Sequence, residues 1–166
     1  MKKKIYSVLV ENRSGVLSKV AGLFSRRNFN IESLAVGETD AKDVSCMTIV
    51  SSGDQHTIEQ IEKQLNKKID VIKVKTFDES ESVSRELMLV KVRYSRSNRK
   101  DLIEICQLMK ATVIDLSDSM MTIQFCDTPE RVSLFLKMLK NVRIVEITRT
   151  GTLALTKCME TAVPAE

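Results

Sequence analysis

The apolar positions of this chain repeat at a spacing of two, then at helical spacing, then at two again, and the whole order occurs twice. Residues 4–11 (KIYSVLVE) are β-branched and alternating, and read as a strand. Residues 15–27 (GVLSKVAGLFSRR) place Val16, Leu17, Val20, Ala21, Leu23 and Phe24 at helical spacing. Arg26 and Arg27 fall near its end, where cations complement the helix dipole. Strands follow over 30–38 and 43–51, joined by a turn around Thr39-Asp40-Ala41-Lys42. Thr57 and Gln60 have the spacing of a capping box, opening a helix striped by Ile58, Ile61 and Leu65. Residues 69–76 form a fourth strand. This β-α-β-β-α-β order is the ferredoxin-like unit.

Residues 78–85 (DESESVSR) are acidic and Ser-rich and read as a linker. The order then repeats. A strand over 86–94 precedes a helix over 98–110 that carries Leu102, Ile105, Cys106 and Met109. Strands over 112–117 and 119–126 lead to a helix capped by Thr128, with Pro129 at its first position and Val132, Phe135, Leu136 and Leu139 as its stripe. Residues 142–149 are the last strand, and the tail from Gly151 holds only the short apolar piece Leu153-Ala154-Leu155. Equivalent elements lie about 75–80 residues apart, roughly one small domain. The reading is an α+β chain of two tandem ferredoxin-like βαββαβ modules, 1–77 and 86–166.

Strand faces bear on assembly. Leu87 and Leu89 point one way while Met88, Val90 and Val92 point the other; Val44, Cys46 and Val50 likewise oppose Met47 and Ile49. Helices cover one face of such a sheet, and the second is too apolar to leave in water. Either the two modules cover each other, or a second copy of the chain does so.

Residue chemistry excludes more than it selects. The single histidine, His56, sits at a helix entry. Nucleophile-elbow and glycine-rich phosphate motifs are absent. Of the cysteines, Cys46, Cys106 and Cys126 fall in apolar patterns and are expected to be buried, Cys158 to be exposed; none forms a C-x-x-C pair, so no metal is expected. Nucleic acid is disfavoured as well. The same element order can bind RNA, but only by stacking bases on strand aromatics, and residues 5–10 and 120–125 offer only Tyr6 and Phe125. Aromatics are 4% of the chain and the net charge is only +4. The apolar run over 5–10 is too short for a signal-peptide core, and nothing approaches the ~18 apolar residues of a membrane span, which points to a cytoplasmic protein without a membrane partner.

One segment suggests a site. Asn12-Arg13-Ser14-Gly15-Val16-Leu17 joins a strand to a helix. The first N–H groups of a helix lack internal partners and carry partial positive charge, so such a turn accepts a carboxylate. Gly15 lets the backbone close tightly, and Asn12 offers both a donor and an acceptor, which suits an amino-acid head group. An ordinary strand–helix turn uses the same residues.

The stretch over 12–34, NRSGVLSKVAGLFSRRNFNIESL, resembles the ACT domain of the acetolactate synthase small-subunit family, whose pattern N-x-x-G-x-L-x-x-x-x-x-L-F-x-x-R-x-x-N-I-x-S-L it meets at each fixed position. Met47-Thr48-Ile49, residues 58–65, residues 85–92 and Ile114-Asp115 extend the likeness across 4–155. The resemblance implies an N-terminal ACT domain that dimerises side by side and an ACT-like C-terminal domain. It implies a non-catalytic chain bound to a catalytic large subunit that carries thiamine diphosphate, Mg²⁺ and FAD, with no cofactor on this chain. Such a subunit activates the enzyme and confers feedback inhibition by a branched-chain amino acid, usually valine, in valine, leucine and isoleucine biosynthesis. The effector positions it implies are Asn12, Gly15, Val16 and Leu17 from one chain, with Asn30 and Ile31 from the other. In the second module Ser95-Arg96-Ser97-Asn98-Arg99 replaces the Gly turn, so no second effector site is expected. The alternative is a stand-alone tandem ACT regulator of gene expression that responds to an amino acid.

Overall fold

A computed structural model describes residues 2–77 and 81–158. It divides into two compact units: residues up to Val83 together with the stretch from Ala154, and Ser84–Leu153.

In the first unit β1 (Lys2–Glu11), α1 (Val16–Arg26), β2 (Ser33–Glu38), β3 (Val44–Gly53), α2 (Gln55–Asn66) and β4 (Val71–Phe77) follow in order. The antiparallel sheet runs β2-β3-β1-β4, so β1 and β3 are central. Alternation drives the burial. Tyr6, Val8 and Val10 of β1 and Met47 and Ile49 of β3 pack under Val16, Val20, Leu23 and Phe24 of α1 and Ile58, Ile61 and Leu65 of α2. The Tyr6 hydroxyl donates to the Ile58 carbonyl at 3.3 Å, and burial pushes that phenol up to about 12.

The second unit repeats the plan with β5 (Ser82–Arg93), α3 (Arg99–Met109), β6 (Thr112–Leu116), β7 (Met120–Asp127), α4 (Pro129–Met138) and β8 (Arg143–Arg149), in the order β6-β7-β5-β8, with β9 (Leu153–Thr156) pairing with β5. Met88, Val90 and Val92 meet Leu102, Cys106, Met109, Val132, Phe135 and Leu139 in one core, where the Phe125 and Phe135 rings stack at 4.8 Å. Both sheets are thus α+β, ferredoxin-like layers, as the periodicity predicts.

Four local expectations change. Residues 78–80 of the expected linker lie outside the described residues, and Ser82 already opens β5, because a polar strand composition hid its alternation. The capping box does not open α2: Asp54 is its N-cap and accepts from the Thr57 N–H at 2.7 Å, so the helix begins at Gln55. Gly53 makes room for that close turn, since a Cβ there would meet Thr57 Cγ2 at 2.7 Å. Cys126 is exposed, not buried: β7 alternation turns Ile123 and Phe125 inward and leaves Cys126 on the opposite face with Gln124. Residues 30–32 precede β2 as loop, where the Ser51 hydroxyl donates to the Asn30 carbonyl at 2.6 Å.

Thr128 caps α4 as expected, accepting from the Arg131 N–H at 3.4 Å with Pro129 behind it. Thr128→Ala is expected to lower stability by about 1 kcal/mol, the usual worth of such a cap, as read by urea unfolding.

Candidate functional site

The β1–α1 turn is built around Gly15, at φ 85° and ψ −10°, a left-handed conformation that glycine takes without a Cβ penalty. No side chain caps α1 and its first turn holds no acid. The other helices are served: Asp54 and Thr128 cap α2 and α4, and Asp101 lies in the first turn of α3. The Val16 N–H turns back to the Arg13 carbonyl at 3.4 Å, and no side chain caps the amides that follow it, so the start of α1 keeps partial positive charge. A Cβ built on Gly15 would meet nothing within 4 Å, so the space beside the turn is open.

The neighbouring residues divide the work. Val16 is 2% exposed and belongs to the core, and its N–H donates to the Arg13 carbonyl at 3.4 Å, so its side chain is closed to a ligand. Leu17 is 44% exposed and presents an apolar surface beside the open amides. The Asn12 Nδ2 donates to Glu38 Oε1 at 3.1 Å and to the Lys42 carbonyl at 2.9 Å, and its main-chain N–H donates to the Asp43 carbonyl at 2.7 Å. Two acceptors on the amide nitrogen fix the orientation of the side chain and leave its carbonyl oxygen to accept. An open cleft of about 260 Å³ adjoins the turn, lined by Glu11, Asn12, Arg13 and Asp43.

Asn30 and Ile31 do not join this group within one chain. They lie beyond the far end of α1, whose 11 residues rise about 16 Å. Asn30 is exposed and Ile31 half-buried against the core.

The structure adds a residue that the sequence reading missed. Asp70, in the turn between α2 and β4, is 7% exposed. Its carboxylate accepts from Arg13 Nη2 at 3.0 Å and from Lys19 Nζ at 2.9 and 3.2 Å, and Arg13 also pairs with Glu11. Its main-chain carbonyl accepts from the Glu11 N–H at 3.0 Å. The Lys19 hydrogen bond, then the Lys19 and Arg13 charges, hold the Asp70 carboxyl below its ordinary value of 3.8 against the opposing push of burial. A carboxylate depressed in the fold stabilises it above that ordinary value and loses the contribution as pH falls through the folded value. Thermal unfolding below pH 3.8 is therefore expected to fall less steeply for Asp70→Asn than for the wild type. Nothing local in the sequence signals this residue, which lies 57 positions from Arg13.

Two family models divide the chain between them. The acetolactate synthase small-subunit-like ACT domain matches residues 6–73, and the small subunit of acetolactate synthase matches residues 85–158. The chain belongs to the acetolactate synthase small-subunit family. It is 48% identical over 151 residues to the acetolactate synthase small subunit of Mycolicibacterium smegmatis, covering 91% of this chain and 89% of that one. It is 42% identical over 156 residues to the isozyme 3 small subunit of Escherichia coli, covering 93% and 96%. The crystal structure of the small subunit from Thermotoga maritima superposes with a TM-score of 0.90 at 35% identity, over 96% of this chain and 99% of that one.

As an acetolactate synthase small subunit, the chain is regulatory and non-catalytic. Among the described residues no group of three His, Cys, Asp or Glu side chains could hold a metal ion, and no helix is long and apolar enough to cross a membrane. The turn in the second unit that corresponds to the Gly15 turn is closed by its own side chains. There the Ser95 N–H donates to Asn98 Oδ1 at 2.8 Å, and the Ser95 and Ser97 hydroxyls lie 2.7 Å apart.

Proposed function

We propose that this chain binds the catalytic large subunit of acetolactate synthase, raises its activity, and confers feedback inhibition by a branched-chain amino acid, valine, held between two copies at the β1–α1 turn. The carrying observation is the open, uncapped start of α1 behind a left-handed Gly15. The effector carboxylate would sit on the first-turn amides of α1. The Asn12 carbonyl oxygen would accept from the ammonium group. Leu17 of one copy and Ile31 of the other would enclose the aliphatic group, with Asn30 orienting the head group.

A second copy is required because Asn30 and Ile31 lie at the wrong end of α1 to meet Gly15 of their own chain. Both lie in the loop of residues 30–32 that leads into β2, and β2 is an outer strand of its sheet. An outer strand presents unpaired backbone groups, so side-by-side pairing of two ACT domains would satisfy them. The thiamine diphosphate, Mg²⁺ and FAD of the reaction belong to the large subunit in this reading. Effector and large subunit then alter each other's affinity, with an ordinary coupling of ~1–3 kcal/mol. The apolar pocket separates valine from isoleucine or leucine by only ~1–3 kcal/mol.

Calorimetric titration of L-valine into the purified chain tests the effector, and synthase assays with and without chain and valine test the control. Heat at a stoichiometry of binding, with activation by the chain and inhibition by valine, supports the reading. No heat with valine, leucine or isoleucine removes the effector.

A further inference from the structure

We propose that Asp70 is a positioning residue for the effector turn, acting through Arg13 and Lys19; this rests on the reading of that turn as the valine site. The two cations bracket Gly15 in the chain. Arg13 lies two residues before it, and Lys19 begins the ladder of α1, its N–H donating to the Gly15 carbonyl at 3.0 Å. One carboxylate holds both, at 3.0 Å from the first and 2.9 Å from the second. The same residue fixes the end of β1 through its main-chain carbonyl, 3.0 Å from the Glu11 nitrogen. Three pieces of backbone that must agree for the turn to form thus converge on Asp70: the end of β1, the turn itself and the first turn of α1.

The charges make the arrangement specific. Lys19 stands in the early part of α1, where a cation is disfavoured by the helix dipole. Asp70 supplies from the α2–β4 turn the counter-charge for Lys19 and leaves the α1 amides uncapped. It is itself nearly buried, while Arg13 and Lys19 are more than half exposed, so the fixed partner is the carboxylate and the mobile ones are the cations. A buried anchor restrains the flexible turn more than a surface pair does, because fewer arrangements of the anchor compete with the bound one. An effector that finds the turn already ordered loses less in ordering it.

The test uses the full chain and L-valine as probe. Asp70→Asn keeps the shape and removes the charge that binds both cations, and should weaken L-valine binding five- to twentyfold by calorimetry. Asp70→Glu should restore most of the loss. Lys19→Gln, at an exposed side chain, should weaken binding in the wild-type background and have little further effect beside Asp70→Asn, since both act through one contact. Independently of any effector, Asp70→Asn should speed amide exchange at Lys19, with circular dichroism unchanged. Wild-type affinity in Asp70→Asn, or a Lys19→Gln effect equal in both backgrounds, overturns the positioning role. If the wild type itself gives no valine heat, the effector reading fails, and unchanged exchange at Lys19 is then what overturns the clamp.

Discussion

Gly15→Asp is expected to leave the chain folded and to abolish valine binding, with a loss of at least a hundredfold. Two opposing facts about the position set that outcome. Its φ of 85° strains any residue with a Cβ, at about 1–2 kcal/mol, although Asp is among the side chains that tolerate the left-handed region best. Space is not the obstacle, because a Cβ there would touch nothing within 4 Å. The new carboxylate enters the same open volume the effector carboxylate needs, beside the same amides, and repels it. Gly15→Ala separates the two effects. It carries the backbone strain without the charge, so it should match or exceed the loss of stability in Gly15→Asp and retain measurable binding. Calorimetry with L-valine and urea unfolding of both variants check this. Full valine sensitivity in Gly15→Asp would place the effector elsewhere.

Long-range order was legible in this sequence because apolar spacing is set by burial on one face. Met88, Val90 and Val92 had to oppose Leu87 and Leu89, and they do, with the first three fully buried. Boundaries were less legible wherever polar side chains replaced the apolar signal. Ser82-Val83-Ser84-Arg85 forms a strand with no composition to announce it, and Asp54 takes the cap of α2 three residues before the Thr57 that carries the box spacing. The candidate turn was legible in part. Gly15 and Asn12 have local meaning that sequence can carry, and the positive φ and the engaged Asn12 amide give them content. Val16 fits the pattern yet spends its side chain on the core, a distinction that depends on which way α1 is turned. Asp70 was not legible at all, because its partners meet it only once β1 and β4 lie side by side.

A similar long-range pair governs the second unit, and Arg149→Met is expected to lower its stability by about 3 kcal/mol. Glu86 lies on the same face of β5 as Met88, Val90 and Val92, a charged residue in a row of core positions, and is 4% exposed. Arg149 meets it with two parallel bonds, Nε to Oε1 at 2.7 Å and Nη2 to Oε2 at 2.7 Å. Across the ladder Glu86 opposes Asp127, whose own carboxylate is held by Arg131, so Arg131 is already engaged. The burial is unequal, with side-chain exposures of 38% for Arg149 and 5% for Glu86. The consequences of removing each partner must therefore differ. Without Arg149, a carboxylate that is only 5% exposed loses the donor to both its oxygens. Without Glu86, the guanidinium turns to solvent at little cost, so Glu86→Leu should change stability by less than about 1 kcal/mol. The double variant Glu86→Leu, Arg149→Met should recover most of the loss, since an apolar pair of similar size needs no desolvation. Amide exchange at Met88, Val90 and Ile123 reads the opening of this core in all three variants. Equal losses in the two single variants would show that the pair acts as an exposed bridge and not as a buried carboxylate with its counter-ion.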